Sequence, residues 1–231
     1  MTPEEENVIR RCRAVLLDFD GPVCDAFAGY PAPRVARDMV SRAVDAGVSV
    51  PLEIKEETDP MEVLRGLFKI ASEWHSEAER VLREAETVSV TEASPTSGAI
   101  EFMEACRETG RPLVVVSNNS PEAVNAFLGK HGLASLTLGI FGRSRLSPKL
   151  MKPHPHLLEV ALEGLSAAPG DCLMVGDSAT DIEVAKVMGV PVAGYANKAG
   201  KAERFRALGS DVVTEDMAEL ATQLRAAGPL T

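Results

Sequence analysis

The chain has 231 residues, 45% of them hydrophobic, 25% charged and only 4% aromatic, a globular composition whose core must rest on Leu, Val, Ala and Met. Its formal net charge of -10 repels polyphosphate backbones and anionic lipid surfaces, which argues against nucleic acid and membrane as general partners. A small anionic substrate stays compatible with that charge where a metal and a few cations make one pocket locally positive.

The N-terminal stretch MTPEEENVIR is acidic where a secretory leader is basic and then apolar, and no apolar run approaches the ~20 residues that span a bilayer. Cys12, Cys24, Cys106 and Cys172 form no CxxC pair and have no histidine cluster at zinc-ligand spacing. They read as reduced, packed thiols in a cytoplasmic protein. The length suits one medium domain or a main domain with a smaller insertion.

In chain order, uninterrupted apolar runs predict strands at Ala14–Phe19, Leu113–Ser117, Leu138–Phe141, Cys172–Val175, Pro191–Gly194 and Val212–Val213. Runs of this kind fit a parallel sheet buried on both faces. Helical patterns fall between them at Gly98–Glu108, Pro121–His131, His156–Leu165, Asp181–Met188 and Ala218–Ala226. The alternation predicts an α/β fold with a doubly wound, mainly parallel, Rossmann-like sheet.

From about Ala26 to Ala93 the alternation stops, and three helical stripes replace it. They are Val35, Met39, Val40, Ala43 and Val44; then Val63, Leu64, Leu67, Phe68, Ala71 and Trp74; then Ala78, Val81, Leu82 and Ala85. This segment reads as a small all-helical domain inserted after the first strand, with Thr91–Ser97 as its return linker. The expected division is therefore residues 1–25 and 94–231 for a discontinuous α/β core and 26–93 for the helical domain.

In an open parallel sheet the carboxyl ends of the strands line the ligand crevice. The first strand ends in Asp18-Phe19-Asp20-Gly21, the next core strand in Ser117-Asn118-Asn119-Ser120, and a later one in Gly176-Asp177-Ser178, with Asp181 following. Lys152-Pro153-His154-Pro155 lies between the last two. Singly these signals are weak, since a carboxylate after a strand is often a helix cap and a lysine before proline is usually solvated. Together they are chemically complementary. Asp18, Asp20 and Asp177 in one crevice repel unless neutralised, and hard oxygen ligands favour magnesium (Mg2+). The ion and Lys152 would screen an incoming phosphate so that a carboxylate can attack it, while Ser117 and backbone amides donate to phosphoryl oxygens.

DFDG (18–21), VVVSN (114–118), KPHP (152–155) and VGDSATD (175–181), in that order, resemble the four motifs of the haloacid dehalogenase-like (HAD) superfamily in its phosphatase branch. The likeness runs over nearly the whole chain, its overall appearance is phosphoglycolate phosphatase-like, and the helical insertion sits where such proteins carry a cap. The resemblance implies Asp18 as nucleophile and metal ligand. It implies Asp20 as the acid that protonates the leaving oxygen and then activates water, with its backbone carbonyl on the metal. Ser117 and Lys152 would hold the phosphoryl group, Asn118 would reach phosphate or substrate, and Asp177 would ligate Mg2+. Asp181 would orient a metal-bound water or the lysine.

Position 22 departs from the pattern, with Pro where the family usually has Thr or Val, and any amide or hydroxyl contact from there is lost. Lys149 competes with Lys152 for the cationic role, but the flanking prolines favour Lys152. His154 and His156 read as helix entry rather than metal ligands, and Cys24 as packing rather than redox. Tyr30, Arg34 and His75 are the polar or aromatic residues of the insertion that stand out as pocket candidates, with surface or packing roles the plainer reading.

Asp20 supplies a proton donor for an alkoxide leaving group, which dehalogenation does not need, so a phosphatase acting on a small phosphorylated metabolite is the expected function. A phosphosugar mutase sharing the motifs, and a HAD-like scaffold retained for binding or regulation, are the alternatives. A dinucleotide-binding Rossmann protein is disfavoured because no GxGxxG follows the first strand. The assembly expected is a monomer or homodimer.

Overall fold

A computed structural model describes residues 1–230. Among these, β1 (Ala14–Leu17), β2 (Leu113–Val116), β3 (Gly139–Phe141), β4 (Cys172–Gly176), β5 (Val192–Tyr195) and β6 (Val212–Thr214) form one sheet in the order β3-β2-β1-β4-β5-β6. Every pairing is parallel, as the apolar runs predict, and each observed strand lies within a residue or two of its predicted span. The order reverses beside β1, so the strands on either side of it turn away in opposite directions and open a crevice at their carboxyl ends. Asp18, Ser117 and Asp177 each follow directly on the last residue of β1, β2 and β4.

Alternate residues along the strands feed two cores, as the pleat requires. Val15, Leu17, Val115 and Val175 face one side, against α1 (Pro3–Arg11) and the later α6 (Ala99–Glu108), α7 (Pro121–Lys130) and α11 (Met217–Ala227). Leu16, Val114, Val116 and Met174 face the other, against α8 (His156–Leu165), α9 (Ala179–Met188) and α10 (Lys201–Ala207).

Two helices, α1 and α10, fall outside the predicted elements. The signal for α1 is nonetheless local. Thr2 and Glu5 form a reciprocal capping box, Pro3 occupies the first turn, and charges of the favourable sign sit at each end. The seven-residue α10 is too short to show a clear apolar period.

Between β1 and β2 the chain forms α2 (Ala32–Asp45), the short α3 (Leu52–Lys55), α4 (Pro60–Ile70) and α5 (His75–Ser89). They share a core of their own, with Val35, Met39, Leu64, Leu67, Ala78 and Leu82 at its centre. The stripe read as continuous from Val63 to Trp74 is interrupted. The backbone leaves helical geometry at Ala71 (φ -148°, ψ 68°), and Trp74 lies in a separate 3-10 turn. Val44 stays largely exposed.

The return segment Thr91–Ser97 is more ordered than a linker. Pro95 bridges to Cys24, Thr96 N donates to Val23 O at 2.8 Å, and the Thr96 hydroxyl donates to Gly21 O at 2.7 Å. The segments that lead into and out of the insertion are thus tied together beside the crevice. Pro22 sits in the turn they enclose. That turn closes by Val23 N and Cys24 N donating to Phe19 O, so it needs no amide hydrogen at position 22. All four cysteines are free and buried, and burial pushes the Cys24 thiol well up, as suits a packing role. Among the described residues no helix is long and apolar enough to cross a membrane.

Candidate active site

Lys152 is the centre of the site. Its ammonium, 2% exposed, donates to Val116 O at 2.9 Å and to Asp181 Oδ1 at 2.5 Å, and lies 2.9 Å from Asp18 Oδ1. Burial alone would lower its pKa, but the facing carboxylates of Asp18 and Asp181 outweigh that and hold it above the usual lysine value. The ammonium is therefore a fixed positive charge. Lys149, its rival in the sequence, is exposed, with its ammonium 5.4 Å from the Phe68 ring.

Asp181 is fully buried at the start of α9 and is spent on holding its neighbours. Oδ1 takes the lysine, and Oδ2 accepts from the Ser178 hydroxyl at 2.6 Å and the Ser178 amide at 3.1 Å. Asn118 does comparable work from the β2 end. Lys152 N donates to its Oδ1 at 2.7 Å, and its Nδ2 donates to Lys152 O at 3.1 Å. Expected to reach phosphate or substrate, Asn118 lines the cavity but has both ends of its amide engaged by the main chain of the lysine.

Asp18 Oδ1 accepts from Phe19 N at 2.8 Å and faces Lys152, while Oδ2 accepts no hydrogen bond from the described residues. Burial, then the Asp181 charge, and further down Asp177, push the Asp18 carboxyl well above the usual range against the pull of Lys152. Asp20 accepts from Ala26 N at 2.8 Å and, chiefly through burial, has its carboxyl raised to about 7. That value lets it be protonated or ionised near neutrality, as a proton-transfer group requires.

One carboxylate oxygen each from Asp18, Asp177 and Asp181 lies within 4.8 Å of the others. With Asp181 committed to Lys152 and Ser178, the carboxylate oxygens of this cluster left to hold a cation come from Asp18 and Asp177. Such an all-oxygen donor set suits Mg2+. Two glycines make the approach possible. A Cβ on Gly21 (φ +96°) would sit 2.4 Å from Asp177 Cγ, and one on Gly176 would sit 2.4 Å from Asp181 Cγ.

Asp177 is held from the loop after β5 and the start of α10. Asn197 Nδ2 donates to its Oδ2 at 2.9 Å, and Lys201 Nζ donates to the same oxygen and to Asp177 O, both at 2.6 Å. Neither residue is among the candidates above, although Asn197 comes shortly after a predicted strand, as Asp177 does. Ser117 is buried, and its hydroxyl donates to Asn119 Oδ1 at 3.0 Å.

A cavity of about 490 Å³ opens over these groups. Asp18, Asp20, Ser117, Asn118, Lys152 and Asp177 form its floor, and Thr58, Asp59, Met61, Glu62 and Arg65 of the insertion line it as well. Tyr30, Arg34 and His75 do not line it. Tyr30 donates to Asp38 with Arg34 5.2 Å from its ring centroid, and His75 packs edge-on to Phe68 with Nε2 3.1 Å from Arg145 O. His154 Nδ1 accepts from His156 N at the entry to α8, in keeping with a helix-entry role.

Residues 12–189 match the family model for haloacid dehalogenase-like hydrolases. The chain belongs to that family. Among curated relatives, the phosphoglycolate phosphatase of Rhodospirillum rubrum is 34% identical over 132 residues, covering 55% of this chain and 52% of that protein. The match thus spans about half the length of that relative. The phosphoglycolate phosphatase of Vibrio vulnificus strain YJ016 is 25% identical over 219 residues, 90% of this chain and 94% of that one. Among solved structures, a predicted phosphatase from Clostridium acetobutylicum superposes with a TM-score of 0.72 at 20% identity, covering 93% of this chain and 99% of that one. A haloacid dehalogenase-like protein from Streptococcus pneumoniae gives 0.67 at 18% identity, with 92% and 98% covered. These two carry the fold, and the family model carries the membership and, with it, a hydrolase.

Proposed function

We propose that this protein is a cytoplasmic, magnesium-dependent phosphatase that hydrolyses a small phosphorylated metabolite through an aspartyl-phosphate on Asp18. The observation that carries this reading is the convergence of Asp18, Asp177 and the buried Lys152 on one cleft. A nucleophile, an oxygen-rich cation site and a fixed ammonium then meet where a phosphoryl group can enter. Names of relatives such as those of R. rubrum and V. vulnificus support the same class and make 2-phosphoglycolate the first substrate to try.

Asp18 Oδ2, the oxygen that accepts no hydrogen bond from the described residues, attacks phosphorus as the bond to the substrate's bridging oxygen breaks. Protonated Asp20 gives its proton to that oxygen, and the alcohol leaves. Water then attacks the aspartyl-phosphate, returns a proton to Asp20, and frees Asp18 and inorganic phosphate. Lys152 and the Ser117 hydroxyl hold the phosphoryl oxygens through both steps. Magnesium, when bound by Asp18, Asp177 and the Asp20 carbonyl, offsets the negative charge that would otherwise keep carboxylate and phosphate apart. Asp181 acts by holding Lys152. We assign residues 26–93 the role of a cap that covers the leaving group and restricts access to small substrates.

Phosphate release should be measured over a panel that includes 2-phosphoglycolate and a generic aryl phosphate, with Mg2+ and with EDTA. Release that requires Mg2+ is expected, and a panel that is inert in saturating Mg2+ would sink the reading. Isomerisation of a sugar phosphate primed with its bisphosphate, without phosphate release, would move the protein to the mutases.

The cation site also yields a backbone test. Gly21→Ala places a methyl group on Asp177 in a conformation L-residues rarely adopt. It is expected to lower Mg2+-dependent turnover about 100-fold, the scale of a 1 Å displacement of a reacting group. Calorimetric titration with Mg2+ should show the loss at the metal, and a variant with wild-type Mg2+ affinity would contradict it.

A further inference from the structure

Arg143 follows β3 and is one of the largest fully buried side chains in the protein. Its guanidinium meets Glu86 of α5 in a two-pronged pair, Nη1 to Oε1 at 2.8 Å and Nη2 to Oε2 at 2.9 Å, with both side chains at 0% exposure. Glu79, two helical turns back, adds a second carboxylate 3.6 Å from Nη2. These charges come from opposite sides of the molecule's division, Glu79 and Glu86 from the helical insertion and Arg143 from the α/β core.

Most of the remaining bonds of the pair go to one short loop, the one that carries Ser117. Arg143 Nη1 donates to Asn118 O at 2.8 Å, and Arg143 N donates to Asn119 O at 2.9 Å. Glu86 Oε1 accepts from Asn119 Nδ2 at 3.1 Å, and Oε2 accepts from Ser120 N at 3.1 Å. Asn119 passes this placement on. Its amide N donates to Ser117 Oγ at 3.2 Å, fixing that oxygen, while the serine proton rests on Asn119 Oδ1 at 3.0 Å and is free to turn to another acceptor. Buried ion pairs rarely add stability beyond that of apolar residues of the same shape, so stability alone is a weak reason for this one. Its bonding pattern concentrates on the loop that meets the phosphoryl group.

We infer that Glu86 and Arg143 are positioning residues, a buried clamp through which the helical insertion sets the Ser117–Ser120 loop for phosphoryl binding. The inference rests on the phosphatase reading, and it makes the seating of α5 and the affinity for phosphate one coupled property. Neither residue touches the reacting atoms. Glu86 acts through Asn119 and Ser120, and Arg143 through Glu86 and the carbonyls of Asn118 and Asn119.

The test uses the full chain as wild type, Glu86→Gln and Arg143→Met, each held well below its own melting temperature. Inorganic phosphate and tungstate are titrated calorimetrically in saturating Mg2+, and Mg2+ is titrated separately. Glu86→Gln keeps the shape but loses the charge and one acceptor, so it carries the test even where Arg143→Met does not fold. The expected result is oxyanion affinity about 10- to 100-fold weaker with Mg2+ affinity within about twofold of wild type, the scale set by a misplaced binding group. Variants that melt earlier yet bind both anions like wild type would overturn the clamp and leave a purely structural pin. Wild-type protein that binds neither anion would overturn the phosphatase reading itself, and the clamp with it.

Discussion

Asp18→Asn is expected to reduce Mg2+-dependent phosphate release by at least about 10⁴-fold, because an amide cannot form the aspartyl-phosphate and removing a nucleophile costs on this scale. The effect should fall on kcat, since Lys152 and Ser117 remain to bind the phosphoryl group. A single-turnover experiment with wild type should trap covalent phosphate, and the variant should trap none. The same substitution has an opposite consequence for stability. Burial and the Asp181 charge raise the Asp18 carboxyl well above its ordinary value of 3.8. An acid raised in this way binds its proton more tightly folded than unfolded, so metal-free wild type loses stability as pH climbs above about 4. Asparagine has no proton to lose. In EDTA the variant should therefore melt above wild type near pH 7, and the gap should close as pH falls toward 4. Denaturation curves at the two pH values check this, and a gap that widens on acidification would mean that the Lys152–Asp18 attraction dominates instead.

Glu86→Ala is expected to cost about 3–5 kcal/mol of folding stability, the scale for removing one partner of a buried ion pair and leaving the other unpaired. The Arg143 guanidinium would then keep Glu79, 3.6 Å away, the Asn118 carbonyl and the Met61 sulfur, while Ser120 N and the Asn119 side chain lose their acceptor. For a chain of this length that corresponds to a fall in melting temperature of roughly 6–20 °C. Surface pairs give the contrast. Removing Glu84, whose bond to Arg80 lies in solvent, should change stability by less than about 1 kcal/mol. Chemical denaturation of the two alanine variants side by side decides the matter, and a Glu86→Ala protein as stable as Glu84→Ala would show that water or the chain relaxes around Arg143.

How much of this was readable beforehand depended on the range of the interaction. The six strands were legible because each is a short apolar run whose two faces are both buried, and the motif residues because they stand at the ends of those runs. The helix α1 was legible too, through Thr2, Pro3 and Glu5, but its apolar stripe is thin and it went unread. The stripe through Val63–Trp74 misled because a helical period survives a break when a 3-10 turn keeps the next residues near the same core.

Glu86 was hidden by its company. It follows Ala78, Leu82 and Ala85 on the buried side of α5, where a charged residue on a charge-rich helix reads as solvated, and its partner lies 57 residues away. Asn197 and Lys201 were missed because β5 ends in Gly194-Tyr195, with no acid to draw attention. By itself the sequence determined the parallel α/β core, the helical insertion and the order in which Asp18, Ser117, Lys152 and Asp177 arrive, since these follow from local periodicity and strand-end chemistry. Only the tertiary structure decided that Asp181 and Asn118 hold the lysine, that Asn197 and Lys201 hold Asp177, and that a buried arginine joins insertion to core. Those pairings depend on which strand ends become neighbours and which helix closes over them, and long-range packing leaves no period in the chain.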